Sequence, residues 1–272
     1  MSKVSSFPGM ASFRLAAAAF LIASLGLAAK PVPVLTYSTN PNYPPYDWAE
    51  DETSFQGASI ELLSMLLPPG VEARPVVVPW KRALALAAEH KVDLILSVRD
   101  TPERRGFLEF MRNPAFPNPI AVFVRRDHAF PFRTWEDLKG KRGGVSLGDT
   151  FGGGFDPYWH EQLQVEEAPS LEENFRKLVS GRIDYFVSGL YLGESYIANQ
   201  GLDQDLAPLP LTISNEDIYF AFSRNSPCLA LKPYMERRLK ELNRKGIPMG
   251  LLRKQLAIYA HKGPAGRPAL KP

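Results

Sequence analysis

Cysteine is nearly missing: the 272-residue chain has one, Cys228. No intramolecular disulfide can form, so stability must come from core burial even in an oxidising compartment. Cys228 is expected as a small buried apolar residue, with a reactive thiol as the alternative. Histidine is almost as scarce. His90, His128, His160 and His261 show no metal-ligand spacing with one another or with Cys228, so no metal site is expected. Charge imbalance is lacking too, since 32 Lys and Arg face 29 Asp and Glu. That balance gives no argument for nucleic acid or a membrane surface as partner. There is no G-x-S-x-G elbow, no catalytic triad and no cofactor signature. The glycine-rich stretch at 148–154 lacks the Lys-Ser/Thr ending of a phosphate-binding loop and reads as a flexible cleft loop.

One long apolar run does occur, at the front. Lys3 and Arg14 precede residues 15–27, and Gly26-Leu27-Ala28 fits the small-x-small rule for cleavage after Ala28. The run is shorter than the roughly 20 residues of a spanning helix. Residues 1–28 are therefore expected to be a signal peptide that sends the protein to the periplasm, with a retained anchor as the alternative. The residue after the cut is Ala29, so no new amino-terminal cysteine is there to carry a lipid.

What is present is ordinary globular composition, 45% hydrophobic and 22% charged, and a phrase used twice. His90-Lys91-Val92-Asp93-Leu94-Ile95-Leu96-Ser97 recurs as Gly181-Arg182-Ile183-Asp184-Tyr185-Phe186-Val187-Ser188. Each copy follows a stretch that is apolar at helical spacing, and each reads as helix, tight turn and short buried strand ending in a hydroxyl. Open α/β sheets bind ligands outside the carboxyl ends of such strands. Two copies imply two α/β lobes with facing crevices. Around them, strands are expected at 34–38, 76–78, 120–126 and 218–223, and a strand opens a second α/β unit at 144–147. Helices are expected at 59–67, 80–89, 135–141, 232–245 and 249–259, and three prolines make 40–46 a loop.

The residues resemble a known family, the periplasmic solute-binding proteins of the polar amino-acid type (family 3) that serve ABC importers. The resemblance rests on Tyr43-Pro44-Pro45-Tyr46, on Gly57 before Ile60-Glu61-Leu62-Leu63, and on Val92-Asp93-Leu94-Ile95 leading to Thr101-Pro102-Glu103-Arg104. Trp135-Glu136-Asp137-Leu138-Lys139-Gly140-Lys141 and Gly181-Arg182-Ile183-Asp184 complete it. It implies an α/β, two-lobed periplasmic-binding-protein fold of type II, a Venus flytrap with two crossover strands as hinge. Residues 30–124 plus 219–260 would form lobe 1, 125–218 lobe 2, and 261–272, rich in Gly, Pro and basic residues, a disordered tail.

The resemblance also implies a site. Arg104 stands at the family's carboxylate-binding position, where a guanidinium fork matches two oxygens. Ser97 and Thr150 match positions that contact the same carboxylate, Thr150 through an N–H near a helix start. Tyr43 and Trp80 occupy aromatic wall positions, with core packing as the alternative, and Tyr46 lies on the same loop. Departures matter as much. The Asp that usually holds a ligand's ammonium is replaced by Gly189, with Tyr191 or Glu194 as compensating candidates, and Arg99 stands where a small hydroxyl residue is common. The expected ligand carries a carboxylate or other anion. The expected activity is non-catalytic capture of a small-molecule solute by a monomer, without cofactor, for delivery to an inner-membrane ABC permease. Two alternatives stay open: presentation to a membrane sensor, and a dehydratase-like enzyme using Asp149, Glu194 or His160 as proton carrier.

Overall fold

The computed structural model describes residues 34–262. The expected signal peptide and all but the first two residues of the expected tail lie outside that range. In chain order the elements are β1 (Val34–Ser38), β2 (Asn42–Tyr43), β3 (Asp47–Ala49), β4 (Phe55–Gln56), α1 (Ala58–Leu66), β5 (Glu72–Pro75), α2 (Trp80–Ala88) and β6 (Leu94–Val98). Then come α3 (Pro102–Arg105), β7 (Leu108–Phe110), β8 (Phe116–Arg125), β9 (Arg142–Ser146), α4 (Phe155–Gln162), β10 (Gln164–Ala168), α5 (Leu171–Val179) and β11 (Tyr185–Gly189). The last are α6 (Leu190–Gln200), β12 (Leu206–Ser223), α7 (Lys232–Arg244) and α8 (Ile247–His261).

The main sheet runs β10-β9-β11-β8-β12-β6-β1-β5, with β7 also on β12, and β2-β3-β4 form a small separate sheet. At one end β5, β1 and β6 are parallel; at the other β10, β9 and β11 are parallel. Between them β8 and β12 run antiparallel. Cores form at both ends. Leu35, Leu62, Phe116, Phe220 and Leu252 belong to one buried cluster, and Ile120, Val122, Phe155, Tyr185 and Ile213 to another. The chain thus passes from the first core to the second between Phe116 and Ile120. It returns between Ile213 and Ile218, inside the single 18-residue strand β12.

The repeated phrase does the same work twice. In both copies the helix ends in a Schellman turn with a left-handed residue, His90 at φ 60° and Gly181 at φ 71°. The paired bonds match: Lys91 N to Leu86 O (2.8 Å) and His90 N to Ala87 O (3.1 Å), against Arg182 N to Lys177 O (2.9 Å) and Gly181 N to Leu178 O (3.1 Å). Each aspartate then stitches its strand to the first strand of its half. The Asp93 carboxylate accepts from Thr36 N at 2.8 Å, and the Asp184 carboxylate from Arg142 N at 2.8 Å.

Several expectations shift. The strand expected at 76–78 lies at Glu72–Pro75, paired with β1. Val76 still donates to Tyr37 O (2.8 Å), but β1 ends at Ser38, and Val76 and Val78 pack beside α2 instead. The helix expected at 135–141 is one 3-10 turn, Trp135–Leu138, held by a Thr134–Asp137 capping box. The strand expected at 218–223 is the end of β12, which begins twelve residues earlier. Cys228 is half-buried against the first core, its thiol pointing at Val34 O (3.7 Å), and burial pushes its pKa up. Among the described residues no helix is long and apolar enough to cross a membrane.

Candidate functional site

A cavity of about 700 Å³ opens where the carboxyl ends of the two parallel groups meet. Asn40 follows β1; Ser97 and Arg99 come from the end of β6; Ser146 to Phe151 from the end of β9; Ser188 and Gly189 from the end of β11. Trp80 at the start of α2, Arg104 in α3 and Asn118 on β8 complete the wall. This is the crevice position that α/β topology favours.

Of the residues singled out by sequence, Tyr43, Trp80, Ser97, Arg99, Arg104, Thr150 and Gly189 line this cavity. Two do not. Tyr46 is fully buried, its hydroxyl donating to Pro117 O at 2.7 Å and its ring packed on Phe116. Tyr191 sits edge-on to Tyr46, ring centroids 6.3 Å apart, on the core side. The loop's second aromatic is core, and its first is wall.

Arg104 is a half-buried guanidinium with no carboxylate in ion-pair range among the described residues. Its Nη1 donates to Arg99 O (3.1 Å), and its Cζ lies 5.8 Å from the centre of the Trp80 ring. Burial, then the neighbouring Arg99 charge, lower its pKa, and Glu103 offsets this only at longer range. The Thr101 hydroxyl caps α3 by accepting from Arg104 N at 3.3 Å, which fixes the start of the turn that carries the side chain.

Arg99 has another occupation. Its guanidinium reaches across the cavity to Thr150 O and to Phe151 O (3.0 Å), with Glu216 on β12 at 3.8 Å. Those carbonyls are themselves set in place: Ser214 Oγ donates to Phe151 O (2.6 Å), and the Asp156 carboxylate accepts from Phe151 N (2.8 Å) and Gly152 N (2.9 Å). α4 starts only at Phe155, so the Thr150 N–H is not at a helix start as the sequence suggested. Thr150 enters the site through its carbonyl.

Ser97 is buried in a left-handed conformation, φ 50°, its hydroxyl 2.6 Å from that of Ser59. Beneath it lies Asp47, fully buried. The Ser97, Thr39 and Ser59 hydroxyls surround its carboxyl, yet neither oxygen has a well-formed hydrogen bond. Desolvation dominates, and the Asp47 pKa is pushed up to about 7. Asp149 on the opposite wall is raised to about 7 by desolvation, with Arg99 and Ser146 pulling it down. Its side chain is open to the cavity, at the exposed end of the loop after β9. Burial also raises Tyr43, so its phenol is protonated at any ordinary pH.

Sequence reasoning missed Asn118 and Ser188 as site residues and gave Asp149 only a catalytic candidacy. Asn118 was findable: it is a polar residue set between Pro117 and Pro119 on an otherwise apolar crossing strand. His160 and Glu194 do not line the cavity; His160 stacks on Trp159 at 3.5 Å. Among the described residues no three His, Cys, Asp or Glu side chains group to hold a metal.

Comparison with known proteins agrees with this geometry. The chain is 26% identical over 210 residues to the L-cystine-binding protein TcyJ of Escherichia coli (strain K12), covering 74% of this chain and 71% of that one. An amino acid ABC transporter substrate-binding protein, AbpA, from Streptococcus pneumoniae, solved with L-arginine, superposes with a TM-score of 0.68 at 20% identity, covering 84% of this chain and 97% of that one. The ancestral amino-acid-binding protein AncCDT-1, a precursor of cyclohexadienyl dehydratase, superposes with a TM-score of 0.64 at 23% identity, covering 82% and 95%. The architecture is thus that of the two-lobed type II periplasmic binding proteins. Residues 35–247 match one family over their whole length, and the chain belongs to it: the bacterial extracellular solute-binding proteins, family 3.

Proposed function

We propose that this protein is exported and captures a small polar solute through a carboxylate, closing two lobes on it and handing it to an inner-membrane ABC importer. The observation that carries the reading is Arg104: a half-buried cation without an acidic partner, in a cavity at the carboxyl ends of two strand groups. A fixed guanidinium in that setting suits a carboxylate, whose binding would supply the missing counter-charge. Trp80 beneath it and Tyr43 at the edge give a flat apolar wall for the rest of the solute. The lobes would hinge where β8 and β12 pass between the two cores, near Phe116–Pro119 and Ser214–Ile218, a few residues earlier in β8 than the sequence suggested. TcyJ is named for binding L-cystine, and a Streptococcus mutans protein of the same fold, GshT, for glutathione import with the cystine importer TcyBC. Both support a carboxylate-bearing solute here.

The test is calorimetric titration of the purified protein with amino acids and organic acids, repeated with Arg104→Ala. Affinity should fall by at least about 30-fold, the lower end of what losing one partner of a desolvated charge pair costs. Unchanged affinity, or steady turnover of prephenate-like acids in place of binding, would overturn the reading.

A further inference from the structure

Under the cavity wall lies a carboxyl with too few hydrogens around it. Asp47 is fully buried and does not reach the cavity surface, while Ser97, next to it, lines that surface. Neither Asp47 oxygen has a well-formed hydrogen bond, although the Ser97, Thr39 and Ser59 hydroxyls stand around them. Buried polar atoms are almost always paired, so two orphaned oxygens beside a binding cavity need a reason.

Three hydroxyls offer three protons. Thr39 Oγ1 already donates to Leu96 O at 3.3 Å. A second proton lies between Ser59 Oγ and Ser97 Oγ, 2.6 Å apart. One is left for two claimants, the Asp47 carboxylate on one side and a solute oxygen in the cavity on the other. An ionised Asp47 takes it, directly from Ser97 or through Ser59, and Ser97 then has no proton for the cavity. A protonated Asp47 donates to Ser59, Ser59 donates to Ser97, and Ser97 donates outward.

The surroundings let Asp47 change state. The groups that face it from β1, β2 and the turn before β3 are Tyr37, Tyr43 and Tyr46, phenols that burial keeps protonated. α1 and β6 present only the serine hydroxyls, and no cation offsets the desolvation that holds the carboxyl at about 7. Arg104 is tied to the same stretch of chain through Arg99 O, two residues past Ser97, so cation and hydroxyl share one wall. We infer that Asp47 is a positioning residue for the solute's carboxylate: protonated, it turns the Ser97 hydroxyl into the cavity, and capture of the solute takes up a proton from water. The inference rests on the carboxylate being held at Arg104. It gives that anchor a second donor, present below about pH 7 and withdrawn as pH rises past that value.

L-arginine, L-glutamine, L-alanine and L-lactate, titrated calorimetrically into the purified protein at pH 6 and pH 8.5, test it. For any that binds, affinity should be at least about 10-fold tighter at pH 6, since one hydrogen bond to a charged group is lost at the higher pH. Titrations at pH 7 in buffers of different ionisation enthalpy should show net proton uptake. Asp47→Asn carries a donor at every pH, so it should bind equally at both values and take up no proton. Ser97→Ala should weaken binding at pH 6 and flatten most of the dependence. Asp149→Asn removes the other raised carboxyl, on the opposite wall, and should leave the dependence in place. Equal affinity at both pH values in the parent, a dependence that survives Asp47→Asn or survives Ser97→Ala in full, or one abolished by Asp149→Asn would overturn the role of Asp47 while leaving Arg104 as anchor. If none of the four solutes binds, the carboxylate reading itself fails and takes this inference with it.

Discussion

The two copies of the repeated phrase begin alike and end differently. Both leave a helix through a Schellman turn, and both use an aspartate to stitch the new strand to its neighbour. Their last residues part company. Ser97 is bent into a left-handed conformation, shares a short hydrogen bond with Ser59 and rests over the buried Asp47. Ser188 continues straight, pairs with Ala121 in the ladder and leaves its hydroxyl unused. The shared part is what a helix-to-strand return needs in order to fold. The divergent part lies at the cavity, where one copy ends in a bonded hydroxyl and the other in an unpaired one.

Substitutions at equivalent positions should separate the shared work from the divergent work. The largest effect is expected at the stitching aspartates. Asp93 also accepts from the Thr36 hydroxyl (2.7 Å) and Ser226 Oγ (2.7 Å), whereas Asp184 mostly binds the exposed Arg142 side chain. Asp93→Ala should therefore cost about 2–3 kcal/mol in urea unfolding and Asp184→Ala about 1 kcal/mol, because orphaned buried donors cost more than exposed ones. Equal losses would show that the two stitches are equivalent after all.

Asp47 gives the next effect, and only on the first copy's side. Its folded-state value of about 7 lies above the ordinary 3.8, so folding favours the protonated form. That stabilisation is complete below about pH 4 and is lost as pH rises through about 7. In Asp47→Asn the loss should vanish, leaving the variant about 1–2 kcal/mol more stable than the parent at pH 8 and similar to it at pH 4. Melting curves across that range decide it; parallel curves would mean the carboxyl is already matched.

The smallest difference lies at the turn. His90 holds a positive φ that glycine accepts freely, with its ring 3.1 Å from the Asn225 amide in partial compensation. His90→Gly should stabilise by up to about 0.5 kcal/mol, while Gly181→Ala should destabilise by about 1 kcal/mol. Opposite signs at one structural position would confirm that the turn, and not the side chain, is what recurs.

Much of this was legible in the chain because it depends on local chemistry. The helix-turn-strand phrase is a short-range feature and stands where the residues put it; the proline-rich loop expected at 40–46 holds only in part, because Asn42 and Tyr43 between its prolines pair with β3. The strand at 76–78 was misplaced because valine marks extended backbone but cannot tell which residues find a ladder partner. α4, β10 and α6 went unassigned. α6 buries Gly193 and Ser195 among larger residues, so its apolar stripe is faint. The site was harder still. Arg99 reads as a second anion anchor until its bonds to Thr150 and Phe151, some fifty residues away, are seen. Asn118 gains meaning only when the Tyr43 side chain comes within hydrogen-bond reach of it.

One strand has a consequence for how the protein is made. β12 lies at the centre of the sheet, and the first core also needs Ile218, Phe220, Phe222, Leu239 and Leu252 from the last quarter of the chain. The half that leaves the ribosome first therefore cannot close its core until the final segment has emerged. Both halves are therefore completed almost together, once the carboxyl-terminal segment is free to join them.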